Sequence, residues 1–237
     1  MPLIDIINQN QQTYQQGVFA NNLTRGNILD FAIGINNNNE ASRNISLYNF
    51  LYNTLMWGNF DDIVGRYKRV TAQTVLEEIN NFNQYSTNFI SILDSNNPTA
   101  IFNSFKYGDL KIRNVGESYF TKFMHFYSYG KNQMNKFIII DKWIKIAWVA
   151  LVFELEINSS YQIALQSISR YKGKYKVSPF NERKFLHCLN DLKNIAEINQ
   201  IELSRFEELI FGWDLRIENL GLTNPRIEML NILDQHL

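Results

Sequence analysis

The amino-acid sequence predicts an all-α protein, built as two lobes with a cleft between them. Apolar residues recur at helical spacing almost throughout the 237-residue chain. Only four prolines occur, three of them where a helix can begin or end. One short run, 136–140, has strand character.

The segments follow in order. Residues 46–56 carry Leu47, Phe50, Leu51 and Leu55 at helical spacing, with Gly58 placed as a stop. A long segment over 71–93 puts Val75, Leu76, Ile79, Phe82, Phe89 and Leu93 near one face. Pro98 opens a helix as a first-turn residue, and its apolar positions run through Ile101, Phe102 and Phe105 towards Gly108. Two helices then carry the functional argument. The first spans 118–129, with Phe120, Phe123, Met124 and Tyr127 as its apolar face and Gly130 as its stop. The second begins at Asp141 and runs to about residue 155. It is apolar nearly all round, the pattern of a helix buried at the centre of its domain. Further helices are expected over 161–168, 179–195, 204–211 and 225–237. No internal repeat and no long linker interrupts the chain; the Asn-rich stretch 36–39 reads as a short connection. Residues 1–237 are therefore expected to form one helical domain, with the two central helices at about 110–156.

Composition narrows the function. A hydrophobic fraction of 45% with 14% aromatics is that of a globular protein. No run of about eighteen uncharged apolar residues is present, and the start Met-Pro-Leu-Ile-Asp lacks a secretory signal. A cytoplasmic protein is the expectation, with no membrane partner. The single cysteine, Cys188, excludes an internal disulfide and a four-cysteine zinc or iron–sulfur site. Three scattered histidines argue against a metal centre, so neither metal nor cofactor is expected. The formal net charge is zero, but residues 101–150 hold seven Lys and one Arg against two Asp and one Glu. A second basic cluster, Arg170, Lys172, Lys174 and Lys176, is interleaved with Tyr171 and Tyr175. A charge run is commonly a solvated face; two such segments flanking one candidate site suit a polyanion.

Lys122 and Asp141 are the candidate pair. From Lys122 to Gly130 a helix rises about 12 Å, and the ten residues after it reach roughly 33 Å when extended. The chain can thus return and place both residues in the first turns of their helices. A lysine amine is nucleophilic only when unprotonated, and burial or a helix N-terminus favours that form. An Asp at an N-cap is biased the other way, towards carboxylate. Taken singly, Asp141 reads equally as an ordinary cap and Lys122 as a surface lysine.

The segment GESYFTKFMHFYSYGKNQMNKFIIIDKWIKIA, residues 116–147, resembles the 8-oxoguanine DNA glycosylases of the helix-hairpin-helix superfamily. There a Thr-Lys pair opens one helix, and an Asp after short apolar residues opens the next at the same separation. The run Trp143, Ile146, Ala147 is similar as well. The resemblance implies a two-lobed helix-hairpin-helix glycosylase-like fold, Lys122 as nucleophile, and Asp141 as the carboxylate stabilising charge on the sugar when a base departs. It implies double-stranded DNA with a modified base as partner, and no obligate protein partner. Two positions differ from the family pattern. The Gly-x-Gly hairpin is replaced by Ser118-Tyr119-Phe120 with Gly116 upstream, which leaves a cap at Ser118 or Thr121 to hold a phosphate. The cysteine one turn after the lysine is Phe126, which suits stacking on an extruded base. His125 and Tyr129 follow Lys122 at helical spacing and, with Trp143, complete the expected base pocket. Trp57-Gly58-Asn59 falls where such enzymes carry a gap-filling loop. Asn59, Arg66, Lys68, Arg69, Lys172 and Lys174 are candidate DNA contacts. The base is read as an oxidised purine or a hypermodified phage base, placing the protein in repair or antiviral defence. The competing reading is a non-catalytic helical module that binds DNA or protein.

Overall fold

The computed structural model describes residues 1–11, 23–35, 39–211 and 223–237. Residues 36–38 of the Asn-rich connection lie outside them. Among the described residues the chain is helical apart from one two-stranded sheet, and it divides into two compact units. One comprises Gly17–Phe137, the other Met1–Gln16 with Ile138–Leu237.

Asparagine shapes several helix ends in both units. Side chains of Asn39, Asn81, Asn97, Asn181 and Asn224 accept a first-turn backbone N–H at 2.9–3.2 Å. Each such cap is worth about 1 kcal/mol. Asn59, Asn96 and Asn132 take positive φ values just beyond helix ends, a conformation Asn tolerates better than other residues with a side chain.

The first unit contains α2 (Arg25–Ile33), α3 (Glu40–Trp57), a π turn at Asp61–Gly65 leading into α4 (Arg66–Lys68), α5 (Ala72–Glu77), α6 (Phe82–Asp94), α7 (Pro98–Lys106) and α8 (Glu117–Gly130). Helix α8 packs against α2, α3, α6 and α7. Every residue from Tyr119 to Ser128 is buried. The core is aromatic. Phe89 meets Phe50 at 6.3 Å, Phe105 at 5.7 Å and Tyr127 at 5.5 Å between ring centroids, and Phe105 stacks on Phe120 at 5.6 Å. These separations suit attractive ring pairs.

The second unit contains α1 (Leu3–Asn10), α9 (Lys142–Glu154), α10 (Asn158–Leu165), the hairpin β1 (Ile168–Tyr171) and β2 (Lys174–Val177), α11 (Glu182–Ile198), α12 (Leu203–Phe211) and α13 (Pro225–His236). Helix α9 is its interior element, buried from Ile144 to Phe153 and packed by α1, α10, α11, α12, α13 and β2. Its polar attachments are few. The Trp148 indole N–H donates to Asp191 Oδ2 at 2.8 Å. Glu154 Oε1 accepts the Leu3 N–H at 2.8 Å, and burial pushes the Glu154 carboxyl pKa up.

Four expectations need correction. The segment 71–93 is two helices, because Asn81 leaves the helical path and caps α6. The run 136–140 is not a strand: Phe137 donates its N–H to Ser128 Oγ and gives its carbonyl to His125, so no partner strand is needed. The hairpin lies instead at 168–177, where the alternation was read only as charge. Lys172 and Gly173 both have positive φ, as a two-residue type I′ turn requires. Finally, Gly58 and Gly130 do not end their helices through a left-handed conformation. Gly130 lies inside α8, and a Cβ there would come within 2.7 Å of Ala32 Cβ; it is glycine so that α2 and α8 can approach.

Candidate active site

Lys122 lies on α8 in the first unit, and Asp141 precedes α9 in the second. Lys122 is only 3% exposed, which removes the surface-lysine reading. Its Nζ donates to the Ser118 carbonyl at 2.9 Å and the Ser118 hydroxyl at 3.0 Å. The amine lies 4.8 Å from the centroid of the Tyr119 ring. Ser118 and Tyr119 are four and three residues earlier on the same helix, so local geometry brings all three together.

The turn after α3 bears on this lysine. A Cβ at Gly58 would come within 2.9 Å of Tyr119 Cε1 and 3.2 Å of Lys122 Cε. The Tyr119 hydroxyl also donates to the Gly58 carbonyl at 3.2 Å. Burial, followed by the Asp61 charge, raises the Tyr119 phenol pKa to about 12, so it remains a donor. Gly58 thus admits the lysine stem, and Asn59 turns the chain away with φ 55°. The sequence marks this turn, but no local pattern links it to Tyr119, sixty-one residues later. A methyl group at Gly58 is expected to cost about 1–3 kcal/mol, as overpacking does. Urea unfolding of Gly58→Ala measures it. Gly26→Ala, whose Cβ meets nothing nearer than 3.6 Å, serves as the neutral control.

Asp141 is an N-cap. Its Oδ1 accepts the Ile144 N–H at 2.9 Å, which fixes its direction. Trp143, half-buried two residues on, has the Arg226 guanidinium 4.4 Å from its ring centroid. That arginine had no sequence signal.

His125, Phe126 and Tyr129 form one cluster. Phe126 is fully buried, edge-on to Trp57 at 5.1 Å. Arg25 lies 5.6 Å from the Trp57 ring and 6.0 Å from the Phe126 ring. Arg25 also donates to His125 Nε2 at 3.2 Å, while His125 Nδ1 donates to the Phe137 carbonyl at 2.7 Å. A guanidinium can only donate and a carbonyl only accept, which fixes the tautomer. Burial first, and Arg25 second, hold the imidazole pKa well below its usual value, so His125 is neutral. Tyr129 lies 4.7 Å from the His125 ring, with Lys136 Nζ 5.0 Å from its centroid.

The cap expected at Ser118 or Thr121 is not formed. Gly116 is the N-cap of α8 and supplies no side-chain bond. Ser118 Oγ is engaged by Lys122, and Thr121 Oγ1 donates back to the Glu117 carbonyl at 2.8 Å. Space around Gly116 is open, with nothing within 4 Å of a Cβ built there.

The two basic segments differ in kind. Much of the first serves the interior. Lys131 donates to the carbonyls of Ile33 and Ile35 at the end of α2, a cation at a helix C-terminus. Lys136 does the same for Ser128 near the end of α8. Lys106 pairs with Glu117 at 3.4 Å, and Lys145 is buried with Nζ 3.4 Å from the Ser178 carbonyl. The hairpin keeps its charges outside: Arg170, Lys172, Lys174 and Lys176 are all exposed. Lys176 and Lys172 lie 4.1 and 5.4 Å from the ring centroid of Tyr171, itself 54% exposed. Arg66 is exposed too, in an i,i+4 pair with Asp62 at 3.3 Å that contributes little.

Residues 9–203 match the family "Putative 8-oxoguanine DNA glycosylase OGG-like protein", and the chain belongs to it. No curated protein and no solved structure matches the chain. Among the described residues no helix is long and apolar enough to cross a membrane, and no group of three or more His, Cys, Asp or Glu is placed to hold a metal.

Proposed function

We propose that this chain is a DNA N-glycosylase that swings a modified base out of duplex DNA and cuts its N-glycosidic bond. The observation that carries the reading is the setting of Lys122: a buried amine, aimed by Ser118 and accommodated by a glycine, in a chain of the OGG-like family. Swinging out the nucleotide costs a few kcal/mol, offset by contacts in the pocket.

In this reading the Asp141 carboxylate stabilises positive charge on the deoxyribose as the C1′–N bond breaks. Unprotonated Lys122 Nζ then forms a bond to C1′. The departing base takes a proton from solvent, the amine loses one, and ring opening gives a Schiff base. Elimination of the 3′ phosphate from that intermediate cuts the strand. His125, Phe126 and Tyr129 form the packed wall behind Lys122 on the next two turns of α8. Trp143, two residues after Asp141, meets the DNA beside the reacting nucleotide. Gly116, Ser118 and Thr121 place the start of α8 towards a phosphate, while Asn59, Arg66, Lys172 and Lys174 meet the backbone. The substrate base is an oxidised purine or a bulky hypermodified base of phage DNA, assigning the enzyme to repair or to antiviral defence in the cytoplasm.

A base-release screen over duplexes bearing oxidised, alkylated and glucosylated bases tests this. Release of one class is the expected result, and its identity separates repair from defence. Duplex binding without release of any base would leave the non-catalytic module as the function.

A further inference from the structure

The start of α9, the β hairpin and α13 enclose a recess of about 250 Å³ within the second unit. Trp143 and Tyr175 supply its aromatic walls, with Lys142, Arg170, Lys174 and Asp234 around them. Among the described residues that line it, the one carboxylate is already satisfied: Asp234 pairs with Arg170 at 3.0 Å and accepts the Tyr175 hydroxyl. The amines of Lys142 and Lys174, on exposed residues, leave the recess cationic. Arg226 braces the Trp143 indole.

A flat aromatic wall beside two ammonium groups complements one chemistry, a heterocyclic base bearing a phosphate. Size selects the source. Pockets that enclose a whole small ligand run from about 300 to 1,000 Å³, so this recess suits one nucleotide of a longer strand. Asp141 does not line it, so the nucleotide held there is not the one losing its base.

We propose that this recess binds a nucleotide of the DNA strand neighbouring the reacting one, its base against Trp143 and its phosphate between Lys142 and Lys174. The hairpin is then a strand-holding element rather than a solvated ornament. The identity of the strand rests on the DNA-glycosylase reading; the recess and its chemistry do not.

The test is fluorescence anisotropy of the full chain with a labelled duplex carrying a non-cleavable abasic analogue, titrated at several salt concentrations. Lys142→Ala and Lys174→Ala are each expected to weaken binding and to reduce the slope of log K against log salt by about one. Trp143→Ala is expected to weaken it about 10-fold, and Trp143→Phe to recover most of that loss, because a ring remains to stack. Lys174 is exposed in a turn, so its variant remains informative if Trp143→Ala misfolds. Neutralising the flanking phosphate as a methylphosphonate should erase the difference between the parent chain and Lys174→Ala. Free dAMP or inorganic phosphate at millimolar concentration is expected not to displace the duplex; displacement of the parent but not of Lys174→Ala would assign the recess to free nucleotides and overturn the strand assignment. Unchanged affinity and salt slope in all variants would overturn the proposal, even if the enzyme releases bases normally. Loss of affinity in the variants of a chain that releases no base would uphold it while removing the glycosylase reading.

Discussion

Asp141→Asn is expected to release the substrate base about 10³-fold more slowly than the parent chain, the scale seen when a group that stabilises developing charge is removed. The substitution isolates the charge. Asp141 also caps α9 through Oδ1, and asparagine caps a helix about as well as aspartate. The fold should therefore persist, with urea midpoints within a few tenths of a kcal/mol of the parent. Asp141→Ala removes cap and charge together, and should cost about 1 kcal/mol of stability as well. Single-turnover base release beside urea unfolding separates the two contributions. A rate loss in the alanine variant alone would make Asp141 structural.

Lys122→Gln is expected to abolish the borohydride-trapped protein–DNA adduct and to lower base release by at least 10²-fold. The trap reports the bond from Nζ to C1′, which an amide nitrogen cannot form under these conditions. Glutamine keeps a donor towards the Ser118 carbonyl, the stronger structural constraint on Lys122, so folding should suffer less than in an alanine variant. Normal release without an adduct in the parent chain would assign the attack to water and leave Lys122 to orient the sugar. Ser118→Ala makes a finer probe: it removes the 3.0 Å partner of the amine and should lower the rate without removing the nucleophile.

The sequence was most informative where the physics is local. Helix α9 declared itself as interior because apolar residues surround it, and its start was legible in Asp141 because a cap acts over three residues. What the sequence concealed depends on distant partners. The lysines of 101–150 look like a polyanion surface, yet Lys131 closes the end of α2 across 96 residues. The need for glycine at position 58 arises from Tyr119 and Lys122, and no local pattern contains it. The hairpin was missed for a different reason. Alternation of Arg and Lys with Tyr satisfies strand periodicity, but the same residues also form a charge cluster, and Lys-Gly is a weaker turn signal than Asn-Gly. The cluster on α8 was partly legible: helical spacing lines up His125 and Tyr129, whereas Arg25, which adds to burial in keeping His125 neutral, comes from α2.

Helix α8 offers no side chain to solvent from Tyr119 to Ser128. Its residues are locked into an aromatic interior, so most substitutions along it carry a folding penalty whatever they do to chemistry. Change is cheaper in the surrounding turns and the exposed hairpin. The helix that carries Lys122 should therefore be the slowest part of the chain to diverge.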